Sequence, residues 1–462
     1  MKFLSAFNSD WLNPVLVKEV RQFFHNKFFF SLVGLLLGVQ LLLMFIFNLS
    51  FEEWKDGDSA GRIFISIDTV LMYLCVFLTA GWGAMQRFYV ERASKELDFS
   101  NITLLTPLQI VGGKLASSLV IWLLIGALCL PFMAVAYFFR NITPGQIFMI
   151  FASGIMPMLV LIQAALLCGA LGKKWAYAAF VYFCFQVVPL MVGVSVASLF
   201  ESNAKWEIFW LMQGGEAILF MILFAAATAL ITPPFANRMF VLRLLLVIAV
   251  IPVWCFVPFL NTFNKEVQVA LCFFPIAIFG ILGLLNSCDR DDPGGRVLAR
   301  VPRNIVGRVL HYLLSSNRTG GVVLGIVFLA VSCIEMLIIN AFTSESQSMN
   351  MIALGIGGFA LLYSEIAILL NRHVPEIPGW GWLIIVFLLL GVVSLIAAFD
   401  PKIDLYDVYP SVFSLFNASG TPEITDHHFW IAPCGALLAG LPFIVRMIRS
   451  FKDYRAPEIR SK

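Results

Sequence analysis

Apolar runs of about twenty residues recur along the chain and constrain its fold more than any other feature. A helix that crosses the ~30 Å hydrocarbon core of a bilayer needs about 20 apolar residues. Twelve such stretches are present, at approximately 28–49, 63–85, 115–139, 146–171, 175–200, 208–231, 241–260, 267–286, 321–340, 351–371, 380–399 and 428–445. None alternates apolar and polar residues as membrane β-strands do. The sequence predicts an all-α, polytopic bundle of about twelve membrane-spanning helices.

The basic residues give this bundle an orientation. If the chain changes sides at each predicted span, 25 of the 31 Lys and Arg residues fall on the side of the N-terminus. Basic residues concentrate on the cytoplasmic side of membrane proteins, so both termini are expected there. We expect a multi-pass membrane protein. This topology explains the net charge of +3. We therefore expect the lipid bilayer, and not a nucleic acid, as a partner.

Four regions follow from this pattern. Residues 1–27 are expected to form a cytoplasmic amphipathic interface helix, and residues 28–243 a first six-helix block with a long cytoplasmic loop at 86–114. Residues 244–445 form the second helical block, with a basic cytoplasmic loop at 287–320, and residues 446–462 a basic cytoplasmic tail. The two long loops precede the third and the ninth span. That placement leaves open an internal duplication, although the two loops share little sequence.

The N-terminal segment "NPVLVKEVRQFFHNKFFF" has the pattern of an amphipathic helix. Asn13 can cap the helix and Pro14 suits its first position. Apolar residues then recur at helical spacing with polar and basic residues between them. A basic helix with phenylalanines on its apolar face is typical of the membrane interface. The alternative is a cytoplasmic extension of the first span.

The segment 91–114, "ERASKELDFSNITLLTPLQIVGGK", is polar between two apolar blocks. Opposite charges four residues apart, such as Glu91 and Lys95, predict that the helix from the second span continues to about Leu97. Thr106 then caps a helix that starts at Pro107. The result is a helical hairpin with an exposed apolar tip, which either binds a partner or packs against the protein's own inner loops.

This segment resembles the membrane subunits of ABC exporters of the type-2 (ABC-2) permease family. The shared pattern is "E-R-x-x-K-E-L-D-x-x-x-x-T-L-L-T-P-L-x-x-x-x-G-K", and the start "NPVLVKEVRQ" is similar to the opening of many such permeases. The resemblance implies that 91–114 is a coupling element that docks on a separate ABC ATP-binding subunit. The positions that it implicates are Glu91, Lys95, Glu96, Leu97, Leu105, Thr106, Pro107, Gly112 and Lys114. Family permeases often have six spans and work as dimers, which leaves open a fused pseudo-dimer, a homodimer or a second permease.

The chain has no ATPase motif of its own. A phosphate-binding loop needs G-x-x-x-x-G-K-[ST], and neither Gly113–Lys114 nor Gly172–Lys173 has the upstream glycine or the following Ser or Thr. ATP is therefore expected on a partner subunit, and no cofactor, metal site or catalytic residue is predicted in this chain. We expect a transport subunit rather than an enzyme.

Carboxylates within predicted spans are a second set of candidates. A charge there costs at least ~2.5–3.5 kcal/mol on insertion scales, so each suggests a functional site. Asp68 and Glu335 are expected near span ends, whereas Glu216 and Glu365 are candidates for a polar pathway. Gly214 and Gly215 before Glu216 suggest a broken or re-entrant helix.

The sequence thus favours the permease subunit of an ABC exporter that moves an amphipathic or lipid-like substrate outward. Two alternatives remain: an ion-coupled twelve-helix secondary transporter of the major facilitator type, and a membrane assembly factor without transport activity.

Overall fold

The computed structural model describes residues 13–49, 60–94, 105–139, 143–171, 206–233, 236–256, 282–283, 286, 295–342, 348–374, 385–386, 427–451 and 454. Over these residues the protein is helical and contains no β-strand. The chain divides into two compact units, Met1–Thr232 and Pro233–Lys462. The predicted all-α fold is confirmed.

The described helices of the first unit are α1 (Pro14–His25), α2 (Lys27–Leu49), α3 (Ala60–Val76), α4 (Trp82–Ala93), α5 (Pro107–Val135), α6 (Pro144–Ser153), α7 (Ile155–Leu171) and α8 (Trp206–Ile231). A π-helical turn, Phe77–Gly81, joins α3 to α4, and a short 3-10 turn, Ala136–Phe139, follows α5. Helix α7 is buried along most of its length and packs against α4, α5 and α8.

The described helices of the second unit are α9 (Phe240–Phe256), α10 (Gly295–Leu298), α11 (Ile305–Leu314), α12 (Arg318–Phe342), α13 (Ser348–His373) and α14 (His427–Phe451). Helices α12, α13 and α14 pack on one another, and their core contains Val322, Ile326, Ile368 and Phe443. Helix α11 packs against the start of α12 and against α9.

Six helical stretches in the described part of the chain are long and apolar enough to cross a membrane: Lys27–Leu49, Ile63–Ala93, Pro107–Phe138, Pro144–Leu171, Gln213–Ile231 and Pro433–Phe451. A seventh candidate is the pair Ile305–Leu314 and Arg318–Ile334, which is bent by 98°. These helices make the chain a membrane protein. The predicted spans at 175–200, 267–286 and 380–399 lie almost entirely outside the described residues, so twelve spans and the side of each terminus stay predictions.

The helix starts follow from local capping. The Asn13 side chain accepts a hydrogen bond from the Val15 amide, with Pro14 at the first position of α1. Thr106 caps α5 in a capping box, in which the Thr106 and Gln109 side chains each accept a hydrogen bond from the other's backbone amide. These two caps are confirmed. Helix α4 ends at Ala93, and residues 95–97, to which the prediction extended it, lie outside the described part of the chain.

Candidate functional site

Five charged side chains from three helices form one ion cluster in the first unit. Lys114 Nζ on α5 contacts Glu19 on α1 and lies 2.7 Å from Glu91 Oε2 on α4. Glu91 also accepts a hydrogen bond of 2.9 Å from Lys18 Nζ, and Arg87 Nε lies 3.0 Å from Glu19 Oε2. Each carboxylate therefore bridges two cations, and Lys114 links the two carboxylates. We call these five residues the ion cluster.

The centre of the ion cluster is removed from solvent. Glu19 is 2% exposed and Lys114 is 3% exposed. Aromatic rings cover the cations: the Arg87 guanidinium lies 3.4 Å from the centre of the Phe23 ring, and Lys114 Nζ lies 5.1 Å from that of Phe88. Buried charges are tolerated when they are paired and hydrogen-bonded, and a cation over an aromatic face gains further electrostatic stabilisation.

Close backbone packing holds α1 against the start of α5. The Asn13 Nδ2 amide donates a hydrogen bond of 2.6 Å to the carbonyl oxygen of Gln109. A β-carbon at Gly113 would lie 2.8 Å from both Asn13 Nδ2 and Val15 Cβ. Only a glycine permits this approach without a shift of the neighbouring helix. The amphipathic N-terminal helix is therefore fixed to the helix that leaves the 91–114 segment.

The structure brings together only part of the residues that the resemblance implicated. Glu91 and Lys114 belong to the ion cluster. Thr106 and Pro107 start α5, directly after Leu105. A β-carbon at Gly112 would have no neighbour within 4 Å, so no close packing requires this glycine. Lys95, Glu96 and Leu97 lie outside the described residues, as do Phe99, Ile102 and Leu104 of the predicted apolar tip.

Three cluster members were not identified from the sequence as site residues. Lys18 and Glu19 were assigned to the polar face of α1, and Arg87 to the topological basic residues. An acidic residue beside a phenylalanine-rich helical stripe is the signal that could have identified Glu19, since a carboxylate near an apolar face needs a partner. The sequence offers no comparable signal that the partners of Glu19 are Arg87 and Lys114.

The two carboxylates of the predicted polar pathway, Glu216 and Glu365, are buried in separate units. Helix α8 runs without a break through Gly214 and Gly215, so the broken helix predicted at Glu216 is wrong. Both carboxylate oxygens of Glu216 and of Glu365 are buried and find no hydrogen-bond donor among the described residues. Oε1 of Glu365 lies 3.2 Å from the place that a β-carbon would take at Gly440. Asp68 differs, because its Oδ1 accepts a 2.6 Å hydrogen bond from Gln40.

Within the described residues, no group of three or more His, Cys, Asp and Glu side chains is arranged to hold a metal ion. Neither a family model, nor a curated protein, nor a solved structure matches this chain.

Proposed function

We propose that this chain is the membrane-spanning permease subunit of an ABC exporter. In this proposal a separate ATP-binding subunit docks on the 91–114 segment, and its ATP-driven closure moves the membrane helices. The likeness of two sequence motifs to ABC-2 permeases supports the proposal, as does the position of the ion cluster. The cluster joins α1 to both ends of the segment, through Glu91 at its start and Lys114 at its end.

In this proposal the ion cluster transmits force from the docking segment to several helices. A force applied to the segment reaches the end of α4 and the start of α5 together, since Lys114 bonds to Glu91. Through Glu19 the same force reaches α1, which continues after Asn26 into α2. The ion cluster thus couples three membrane-crossing helices to one docking element. Buried paired charges are suited to this role, because separating them would leave an uncompensated charge.

We propose an amphipathic or lipid-like substrate that is moved outward from a bacterial plasma membrane. A cavity of about 250 Å³ beside α1 supports this substrate class. The rings of Phe23, Phe29 and Trp82 line it together with the amides of Asn26 and Gln86. Mostly apolar walls with a few polar groups are typical of sites for amphipathic ligands.

Affinity purification of the tagged chain from its native membranes tests the docking proposal. We expect the wild-type chain to retain an ATPase that carries the phosphate-binding motif, and Leu105→Asp to lose it, because a charge at an apolar contact carries a desolvation cost. The matched control is Phe138→Asp, in the 3-10 turn that follows α5, where the ring is exposed and docking is not expected. An ATPase that Leu105→Asp retains as well as the control does contradicts docking at this segment.

Ion-coupled secondary transport is a second candidate, and the unpartnered carboxylates of Glu216 and Glu365 favour it. A carboxyl group buried within a membrane span is a common proton or cation site. If transport is driven by an ion gradient, Glu365→Gln abolishes the dependence of uptake on that gradient, whereas Asp68→Asn leaves it in place. Transport in proteoliposomes that depends on ATP, and that survives both Glu216→Gln and Glu365→Gln, would exclude this candidate.

A further inference from the structure

The second unit contains an amphipathic helix that ends at a sharp corner. Helix α11, Ile305–Leu314, is followed after three residues by α12, and the two are bent by 98°. Its ten residues are about 15 Å long, too short to cross a bilayer. If α12 crosses the membrane near its normal, α11 lies close to the membrane plane.

Buried hydrogen bonds fix this corner. Arg243 from α9 donates to the carbonyl oxygens of Leu313 at 3.2 Å and Asn317 at 3.0 Å, and also contacts the Ser315 carbonyl oxygen. The Ser316 amide donates to Asn237 Oδ1 at 2.9 Å. The carbonyls that a helix leaves unpaired at its C-terminus are satisfied here by one guanidinium group. The direction of α11 is therefore set by the fold.

One face of α11 is held by the end of α14. The Tyr454 hydroxyl lies 2.9 Å from both His311 Nδ1 and Ser315 Oγ. Tyr312 is buried, and its hydroxyl lies 2.9 Å from Ser450 Oγ. The second unit itself therefore contacts this face of the helix.

The opposite face is apolar and uncovered within the described part of the chain. Ile305 is 68% exposed and Val306 72%, and Val309 and Leu310 are also exposed. The exposed arginines Arg300 and Arg303 precede this face. An uncovered apolar face beside arginines, held at a right angle to a long apolar helix, matches helices that lie in the headgroup region of a bilayer.

Helices α1 and α11 are flanked by the same types of residue. Asn13 and Asn26 flank α1, and Asn304 and Asn317 flank α11 at the same separation, each pair followed by a basic residue. Both Asn26 and Asn317 accept a hydrogen bond from the amide two residues later. At the positions that correspond to Lys18 and Glu19 of the ion cluster, α11 has Val309 and Leu310. The polar groups that attach α1 to its neighbours are thus replaced by exposed apolar residues.

We propose that α11 is a second interfacial helix, which binds lipids with anionic phosphate headgroups: the apolar face of Ile305, Val306, Val309 and Leu310 contacts the acyl chains, and Arg300 and Arg303 contact the phosphates. The proposal does not depend on an ATP-binding partner, because it rests on the second unit alone. Each arginine near an anionic surface contributes roughly a fivefold preference for anionic over uncharged lipids.

A photo-reactive benzoylphenylalanine at Val306 tests this in the full chain, reconstituted in nanodiscs of phosphatidylcholine with a minor share of phosphatidylglycerol. We expect the share of phosphatidylglycerol among the lipid adducts to exceed its share in the nanodisc. In the Arg300→Gln/Arg303→Gln variant this enrichment should fall at least about fivefold while the total lipid adduct stays constant. The matched control is the same probe at Leu438, an exposed apolar position on α14, which should give lipid adducts without enrichment.

Two results would overturn the proposal. Adducts at Val306 with protein instead of lipid would show that a protein surface covers this face. Lipid adducts whose composition equals that of the nanodisc, or is unchanged in the arginine variant, would show that α11 does not select anionic headgroups.

Discussion

Lys114 is the one cation of the ion cluster that contacts both carboxylates, and its burial determines what its removal would do. Its ammonium group contacts both Glu19 and Glu91, and it is almost inaccessible to solvent. Lys18 contacts the same Glu91, but half of its side-chain surface is exposed. Two lysines that share one carboxylate thus differ mainly in burial, which makes them a natural pair for comparison.

We expect Lys114→Met to lower the free energy of unfolding by roughly 3 kcal/mol. That is the lower end of the range for breaking a buried ion pair, since Glu19 keeps Arg87 and Glu91 keeps Lys18. Lys18→Met should cost under about 1 kcal/mol, as exposed pairs do. Thermal unfolding of both variants in detergent measures the difference. Equal losses in the two variants would contradict the burial of Lys114.

At the scale of single residues, the sequence identified Glu91 and Lys114 through a motif but not their partners. Lys18 and Glu19 are 60 or more positions from Arg87 and Glu91, and contacts over such distances depend on how helices pack. Arg243 illustrates the same limit. It was counted among the basic residues that set topology, yet it is buried and binds backbone carbonyls around the α11–α12 corner.

At the scale of elements, local chemistry made the helix starts predictable. The caps at Asn13 and Thr106 were identified from residue type and the following proline, and both are present. The same logic would have found Thr143, which heads a second capping box with Gln146 before α6. The corner at 315–317 could not be predicted in this way, because it depends on hydrogen bonds with the distant residues Arg243 and Asn237.

Helix packing between α1 and α5 gives a prediction at this scale. Gly112 and Gly113 are neighbours in α5, but only a β-carbon at Gly113 would meet α1, at 2.8 Å from Val15 Cβ. We expect Gly113→Ala to destabilise the fold by about 1–3 kcal/mol, as overpacking does.

Gly112→Ala is the matched control and should be neutral or stabilising by up to about 1 kcal/mol, since alanine favours a helix over glycine. Thermal unfolding of the two variants, with limited proteolysis after Lys18 or Arg21 as a second readout, measures whether α1 detaches. Faster cleavage in Gly112→Ala than in Gly113→Ala would be the opposite of what this packing requires.

At the scale of the whole molecule, the apolar composition was enough to predict a helical membrane protein. Six described helices are long and apolar enough to cross a membrane, as the apolar runs predicted for those stretches. The chain also separates into two units. The sequence suggested a duplication in which loop 86–114 corresponds to loop 287–320. Residues 304–318 share a further pattern with residues 13–27: two asparagines at the same separation flank a short helix, and a basic residue follows. This pattern is visible only once the helix ends are known.

We propose that a nucleotide-hydrolysing subunit docks on the segment that the ion cluster joins to α1. A photo-reactive residue at Leu105, activated in native membranes, tests this most directly, with the same probe at the exposed Leu123 in the middle of α5 as control. We expect a protein adduct at Leu105 whose partner contains G-x-x-x-x-G-K-[ST], and only lipid adducts at Leu123. Adducts at Leu105 with lipid or with this chain alone would contradict it.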